Sequence, residues 1–412
     1  MTGERDRSRS RRLSGLDGLR ALAATLVVVY HVGVSAGRTG NGNGFAGYGG
    51  LAPVLSELKS GVTIFFVISG LVLYLPFARA VVSGGALPDW RAYTRRRIVR
   101  IVPAYWVALL SAGILLPGSQ IFGASTWRLL TFAQIYHADT FFSGLGVAWS
   151  LDVEVAFYIA VPILAAAVAR LLRNRSGVQA VRGQFAVLGV LGIAAFAGRV
   201  WLSHGSLVAP VHPGLQVTAT LLPMVFGWFV PGMILAVLIA GREAGASLPR
   251  PVAVLSSRPA VSFALALCIF AAAIPTQHGD MLLTLYSPMT QLLLGLGAML
   301  LVLPVALRSD RGRRGPLALL DSRPLVALGT VSFGIYLWHQ PLLFFLRGSS
   351  LEPSPVLSMP ATLGLSVLIL AIAIAIATVS WHAIERPLQN LARRTERPTQ
   401  HTGTTLEPQP GR

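Results

Sequence analysis

Arg20 and His31 stand eleven residues apart in a stretch that is otherwise almost wholly apolar. At 100° per residue that spacing returns to within about 20° of the same helix face, with the pair roughly 16 Å apart along the axis. Neutral imidazole is suited to taking a proton from a hydroxyl near neutral pH, and it can also act as a nucleophile. Arginine is the preferred partner of phosphate oxygens, and Arg97 and Arg100 in Arg95-Arg96-Arg97-Ile98-Val99-Arg100 share a helix face at i,i+3. Ser150, Glu154 and Tyr158 fall at i, i+4, i+8 and make one polar stripe. Asp152 lies about 200° around the helix from Glu154, so the two acids do not form a pair. His339, in Ser332-Phe333-Gly334-Ile335-Tyr336-Leu337-Trp338-His339, and Ser69, in Phe65-Phe66-Val67-Ile68-Ser69-Gly70, complete the set. Each also has a structural reading. Arg20 can snorkel, the arginine cluster can be a membrane flank, Ser69-Gly70 can serve helix packing, and Glu154 can be held by Arg199.

The elements that must position these groups are membrane helices. The 412 residues are 53% hydrophobic and only 12% charged, with mean hydropathy +0.64. That is about half the usual charged fraction, and it excludes a disordered chain, a coiled coil and an ordinary soluble enzyme. Apolar runs long enough to cross a bilayer recur throughout. The expected spans are 18–36, 60–80, 101–117, 145–169, 184–202, 217–240, 259–275, 284–307, 325–346 and 361–384. The net charge of +18 is read as topology rather than as a nucleic-acid footprint. With both termini in the cytosol, 29 of the 34 Lys and Arg fall in or beside cytosolic segments. The expected fold is therefore an all-α integral membrane protein of about ten helices with cytosolic ends. Residues 1–16 are a basic tail, 17–388 the membrane domain and 389–412 a disordered cytosolic tail. The start imitates a signal peptide, but cleavage after Val34-Ser35-Ala36 would discard Arg20 and His31. The Gly-rich segment 37–50 is an outside loop, and the single Cys268 is expected in the core.

A charge at bilayer depth costs at least a few kcal/mol, so each buried one needs a reason. By distance along the helices, His31, Glu154, Arg199 and His339 share the outer half, while Arg20, Arg97, Arg100 and Glu385 sit at the cytosolic edge. This suggests an outer reaction chamber reached by an anionic cosubstrate from the cytosol. The order of motifs resembles the acyltransferase 3 family of bacterial membrane acyltransferases. The likeness rests on Leu16-Asp17-Gly18-Leu19-Arg20 with His31, Phe65 to Gly70, Arg97-x-x-Arg100, Trp149-Ser150-Leu151-x-x-Glu154-x-x-Phe157-Tyr158, Ser332 to His339, and Glu385-Arg386-Pro387. It covers about 17 to 388. It implies an acyl-CoA donor, a hydroxyl acceptor on a carbohydrate, glycolipid or glycosylated metabolite, and a place in the bacterial plasma membrane. It also implies His31 and Arg20 as essential residues and Arg97 and Arg100 as donor-site residues. Glu154 joins the catalytic group, with Ser69, Arg199, Tyr336, His339 and Glu385 in support. No metal is expected. The tail after Pro387 leads us to expect no further C-terminal domain of the kind some relatives carry. The rival class is a proton-coupled transporter or lipid flippase, since buried Arg, His and Glu also mark such pathways.

Overall fold

The computed structural model describes residues 2–37, 45–116, 121–208, 213–274, 287–308, 315–348 and 356–394. Among these residues there are helices and no strand. The principal helices are α1 (Thr2–Ala36), α2 (Ser60–Ser83), α3 (Trp90–Leu115), α4 (Trp149–Leu171), α5 (Gly177–Val208), α6 (Val230–Glu243), α7 (Pro259–Ala273), α8 (Pro288–Ala306), α9 (Ser332–Arg347), α10 (Met359–Ser380) and α11 (Arg386–Arg394). Each expected span meets one of α1 to α10.

Among the described residues, seven helical stretches are long and apolar enough to cross a membrane, or nine if each of two bent pairs counts as one span. The bends are 52° between Leu222–Trp228 and α6, and 103° between Arg250–Ser257 and α7. Pro231 and Pro259 stand at the start of the second member of each pair. Proline opens a helix readily but gives no N–H to the turn before it, so the ladder breaks there. The ninth expected span, 325–346, is interrupted at Val331, between Arg323–Thr330 and α9. At 16 residues, α9 rises about 24 Å, short of the roughly 30 Å hydrocarbon core. The outside of the bundle is apolar: Ile114, Ile193, Trp201 and Val379 are each at least 69% exposed. A multi-pass membrane protein presents such a surface to lipid.

The helical backbone of α1 begins at Thr2 and runs on into the first membrane helix. Of the segment 389–412, the backbone is helical as far as Arg394, and 395–412 lies outside the described residues. One expectation is corrected. Cys268 on α7 is exposed rather than packed in the core. On the apolar outside of a membrane bundle a small thiol meets the same preference as in a core. Of the Gly-rich segment, 38–44 lies outside the described residues, and Ala46–Leu51 forms a 3-10 turn.

α2 is the centre of the bundle, contacting α1, α4, α6 and α8. Its crossing with α6 depends on two glycines. A Cβ on Gly70 would lie 2.3 Å from the carbonyl oxygen of Phe229, and one on Gly232 would lie 1.9 Å from that of Val67. Small residues permit this close backbone approach between membrane helices. Gly70 thus packs while Ser69 beside it turns elsewhere. α1 in turn lies against α9 and α10. α3 starts earlier than its apolar run. Asp89 caps it by accepting from the backbone N–H of Arg91 and Ala92 at 3.1 and 3.2 Å. The arginine cluster is therefore helical, and Arg97 and Arg100 keep their common face.

Candidate active site

Two cavities lie against the central helix. The inner one, about 80 Å³, is lined by Arg20 from α1, Arg97 and Arg100 from α3, Ser150, Glu154 and Tyr158 from α4, and Ser332 and Tyr336 from α9. Its α2 wall is Val62, Phe65, Phe66, Ser69, Val72 and Leu73. Those positions repeat at i, i+3, i+4, i+7, i+10, i+11 and form one stripe, roughly 16 Å long. The second cavity, about 50 Å³, is lined by Val27, Tyr30, His31, Lys59, Val62, Thr63, Trp149, Trp228, Thr290 and Leu294. Val62 lines both, so the two spaces meet at its side chain.

The inner cavity carries an excess of positive charge. Arg20 is ion-paired to Asp17, one helical turn before it, at 2.8 Å. The Arg97 guanidinium lies over the rings of Tyr93 and Tyr158, at 5.6 and 5.8 Å from their centroids. Its buried Nε has no hydrogen-bond partner. An arginine held by two aromatic faces, with an N–H left unsatisfied beside a cavity, is preorganised for an anion. Glu154 accepts from the hydroxyls of Ser69 and Tyr158 and interacts electrostatically with Arg20 and Arg97.

The outer cavity is aromatic. Phe66 stacks on Trp228 at 5.7 Å and 20°, and meets Trp149 edge-on at 6.4 Å. The Trp228 indole is fixed by donating to the Gln291 carbonyl at 3.0 Å. Tyr30 stands edge-on to His31 with ring centroids 5.1 Å apart. His31 Nδ1 lies 2.9 Å from the Val27 carbonyl and 3.2 Å from Nε2 of His339. Tyr336 is a polar part of the first cavity's wall. Its hydroxyl donates to the Val147 carbonyl at 2.5 Å, and because a hydroxyl has one proton, Ser150 donates to it at 2.7 Å.

Most of the residues named from sequence come together. Arg20, Ser69, Arg97, Arg100, Glu154 and Tyr336 share one cavity wall, and His31 meets His339. Two placements change. Glu154 belongs with the arginines, not with His31, because α4 carries it more than one turn below Trp149, which lines the His31 space. Arg199 is not its partner. It is fully buried on α5 and donates to the carbonyls of Met224 and Ala219 at 2.9 and 2.7 Å, closing the end of the bent 222–243 segment. Glu385 is buried in a π turn, Trp381–Glu385, and interacts electrostatically with Arg100 without lining the cavity. Asp152 turns away from Glu154 and accepts from Gln134 at 3.0 Å.

Sequence reasoning missed Lys59, Trp149 and Trp228 as walls around His31, and Tyr93 beneath Arg97. Lys59 carried a signal, being the only lysine of the chain and lying at the start of an expected span on the side read as outside, against the charge rule. Among the described residues no group of three or more His, Cys, Asp or Glu is placed to hold a metal ion.

A family described as an acyltransferase domain, Acyl_transf_3, matches residues 13–379. The chain is 28% identical over 399 residues to "Putative peptidoglycan O-acetyltransferase YrhL" of Bacillus subtilis, covering 92% of this chain and 55% of that protein. It is 24% identical over 401 residues to "Peptidoglycan O-acetyltransferase OatA" of Listeria monocytogenes, covering 91% and 55%. A third relative, "Putative O-acetyltransferase SACOL0978" of Staphylococcus aureus, is 29% identical over 168 residues, 37% of this chain and 25% of that one. The chain thus spans about half the length of the two relatives it matches end to end. No solved structure matches it.

Proposed function

The chain belongs to the acyltransferase 3 family, and from that premise we propose that it is a multi-pass O-acyltransferase of the bacterial plasma membrane. It takes a short acyl group from acyl-CoA at the cytosolic face and passes it to a hydroxyl of a carbohydrate or glycosylated acceptor at the outer face. Both termini lie in the cytosol, in keeping with the Arg distribution. The names of the relatives make a cell-wall glycan the favoured acceptor class.

One observation supports this most. A cavity with three arginines meets, at Val62, a second cavity holding His31. The arginines suit the phosphates of CoA, and the unpartnered Arg97 Nε fits that use. The apolar stripe of α2 between them suits a thin chain carrying a thioester. The aromatic walls around His31 suit the faces of sugar rings. The reaction then has a simple balance. His31 Nε2 takes the proton of the acceptor hydroxyl as its oxygen bonds to the thioester carbonyl carbon. The carbon–sulfur bond breaks, and the proton passes from His31 to the departing thiolate, giving free CoA and the ester. Glu154 holds Tyr158 and Ser69 in place and balances Arg20 and Arg97 while the site is empty of phosphate.

The test is thiol release. Purified protein in nanodiscs, given acetyl-CoA, is expected to liberate CoA thiol slowly to water and faster with glycan fragments. A transporter or flippase releases none. Absence of both acetyl-CoA binding by calorimetry and thiol release overturns the enzyme reading.

A further inference from the structure

The contact between His31 and His339 carries more than proximity. Carbonyl oxygens only accept hydrogen bonds. The Val27 carbonyl, 2.9 Å from His31 Nδ1, therefore requires the proton on that nitrogen. The Ile335 carbonyl, 3.3 Å from His339 Nδ1, requires the same of His339. A neutral imidazole has one N–H, so both Nε2 atoms are bare. His339 Nε2, 3.2 Å from His31 Nδ1, is then an acceptor, and the His31 N–H is shared between it and Val27. The opposite tautomer would set a lone pair on His31 Nδ1 against the Val27 oxygen.

We propose that His339 is a positioning residue that holds His31 as its Nδ1–H tautomer and leaves the Nε2 lone pair free for the acceptor hydroxyl. The inference presupposes His31 as the proton acceptor and names the group that prepares it. His339 suits the task because it is fully buried on α9, a helix packed against α1. Its ring lies 5.0 Å from that of His31, tilted by 49°, so the bond is made near the ring edge. The hydroxyl of Tyr336, whose ring lies 5.8 Å from that of His339, is committed to Val147 and Ser150. When His31 takes the proton on Nε2, its Nδ1–H becomes a charged donor, and the bond to His339 strengthens as positive charge appears. No proton has to move to His339.

Two amide substitutions separate this role from packing. Glutamine places an amide oxygen near the position of Nε2, whereas asparagine reaches only the position of Nδ1. In the acetyl-CoA thiol-release assay with a glycan fragment as acceptor, His339→Asn is expected to lower kcat about 10- to 100-fold, the usual range for a partner that orients a functional imidazole. KM for acetyl-CoA stays within about twofold, because the donor site is elsewhere. His339→Gln is expected to recover at least tenfold over His339→Asn, at equal melting temperature. Equal activity of the two variants, or the reverse order, overturns the proposal. A second measurement needs no variant: ¹⁵N-histidine spectra of the wild-type protein should show His31 protonated at Nδ1 and bare at Nε2. The opposite pattern also overturns it. The premise fails separately. If His31→Ala keeps near-normal turnover, His31 is not the proton acceptor, whatever His339 does.

Discussion

Arg97 offers the sharpest test of the donor site, because its surroundings allow charge, shape and phosphate reading to be separated. It lies between two tyrosine rings, with a buried Nε lacking a partner and the cavity beside it. If that N–H meets a CoA phosphate, Arg97→Ala removes at least one hydrogen bond between charged groups, worth about 1.5–3 kcal/mol. Acetyl-CoA affinity then falls roughly 10- to 150-fold. Arg97→Lys keeps the charge but not the planar fork or the ring stacking, so its loss is expected to be smaller but measurable. Calorimetry in nanodiscs reads both. The internal control is S-acetyl-pantetheine, which lacks the nucleotide and its bridging diphosphate. Arg97→Ala should leave KM for this truncated donor within about twofold, since uniform loss requires a shared contact. If affinity for acetyl-CoA is unchanged, Arg97 is a membrane flank and the phosphate site lies elsewhere. If both donors suffer equally, Arg97 supports the fold of the cavity and reads no phosphate.

Two further outcomes follow from the packing and the charge distribution. Gly232→Ala drives a Cβ to 1.9 Å from the Val67 carbonyl, with backbone on both sides. Either α6 must move away from α2 or the variant loses roughly 1–3 kcal/mol, the range for overpacking; an unchanged melting temperature in detergent would contradict the close crossing. In a protein freed of Cys268, a cysteine at Asn41 should react with an impermeant thiol reagent on whole cells, and one at Arg311 only after lysis. The opposite labelling reverses the orientation and moves the arginine cavity to the outer face.

Much of this architecture was legible one helix at a time. Spacing on a single helix is a local property, so Arg97 with Arg100, and Ser150 with Glu154 and Tyr158, arrive on common faces as expected. Each apolar run read from hydropathy meets a helix, though among the described residues only seven stretches, or nine with the bent pairs, are long and apolar enough to cross a membrane. What hydropathy did not give was continuity. Span nine breaks at Val331 and the 217–240 run bends before α6, because proline and short-turn geometry, not mean apolarity, decide where a ladder stops. Partners between helices were also beyond it. Arg199 looked like a match for Glu154 by charge and depth, yet it satisfies two backbone carbonyls left by an irregular segment. Such carbonyls have no signature in side-chain sequence. His31 and His339, 308 positions apart, were placed at one depth but could not be paired without the packing of α9 on α1.

Glu154 lines the cavity of Arg20, Arg97 and Arg100 and not that of His31. With Glu154 near His31, the outer cavity would have held a second acid able to orient the imidazole. With Glu154 among the arginines instead, that cavity is lined by His31, aromatic side chains and Lys59, and His339 touches His31. Among the described residues, the His31 ring meets the Val27 carbonyl, His339 and the edge of Tyr30. A neutral orienting partner adds no negative charge beside the developing alkoxide, whereas a carboxylate there would oppose it. On the proposed function, the arginine cavity handles charge and the His31 cavity a proton, with Val62 lining both.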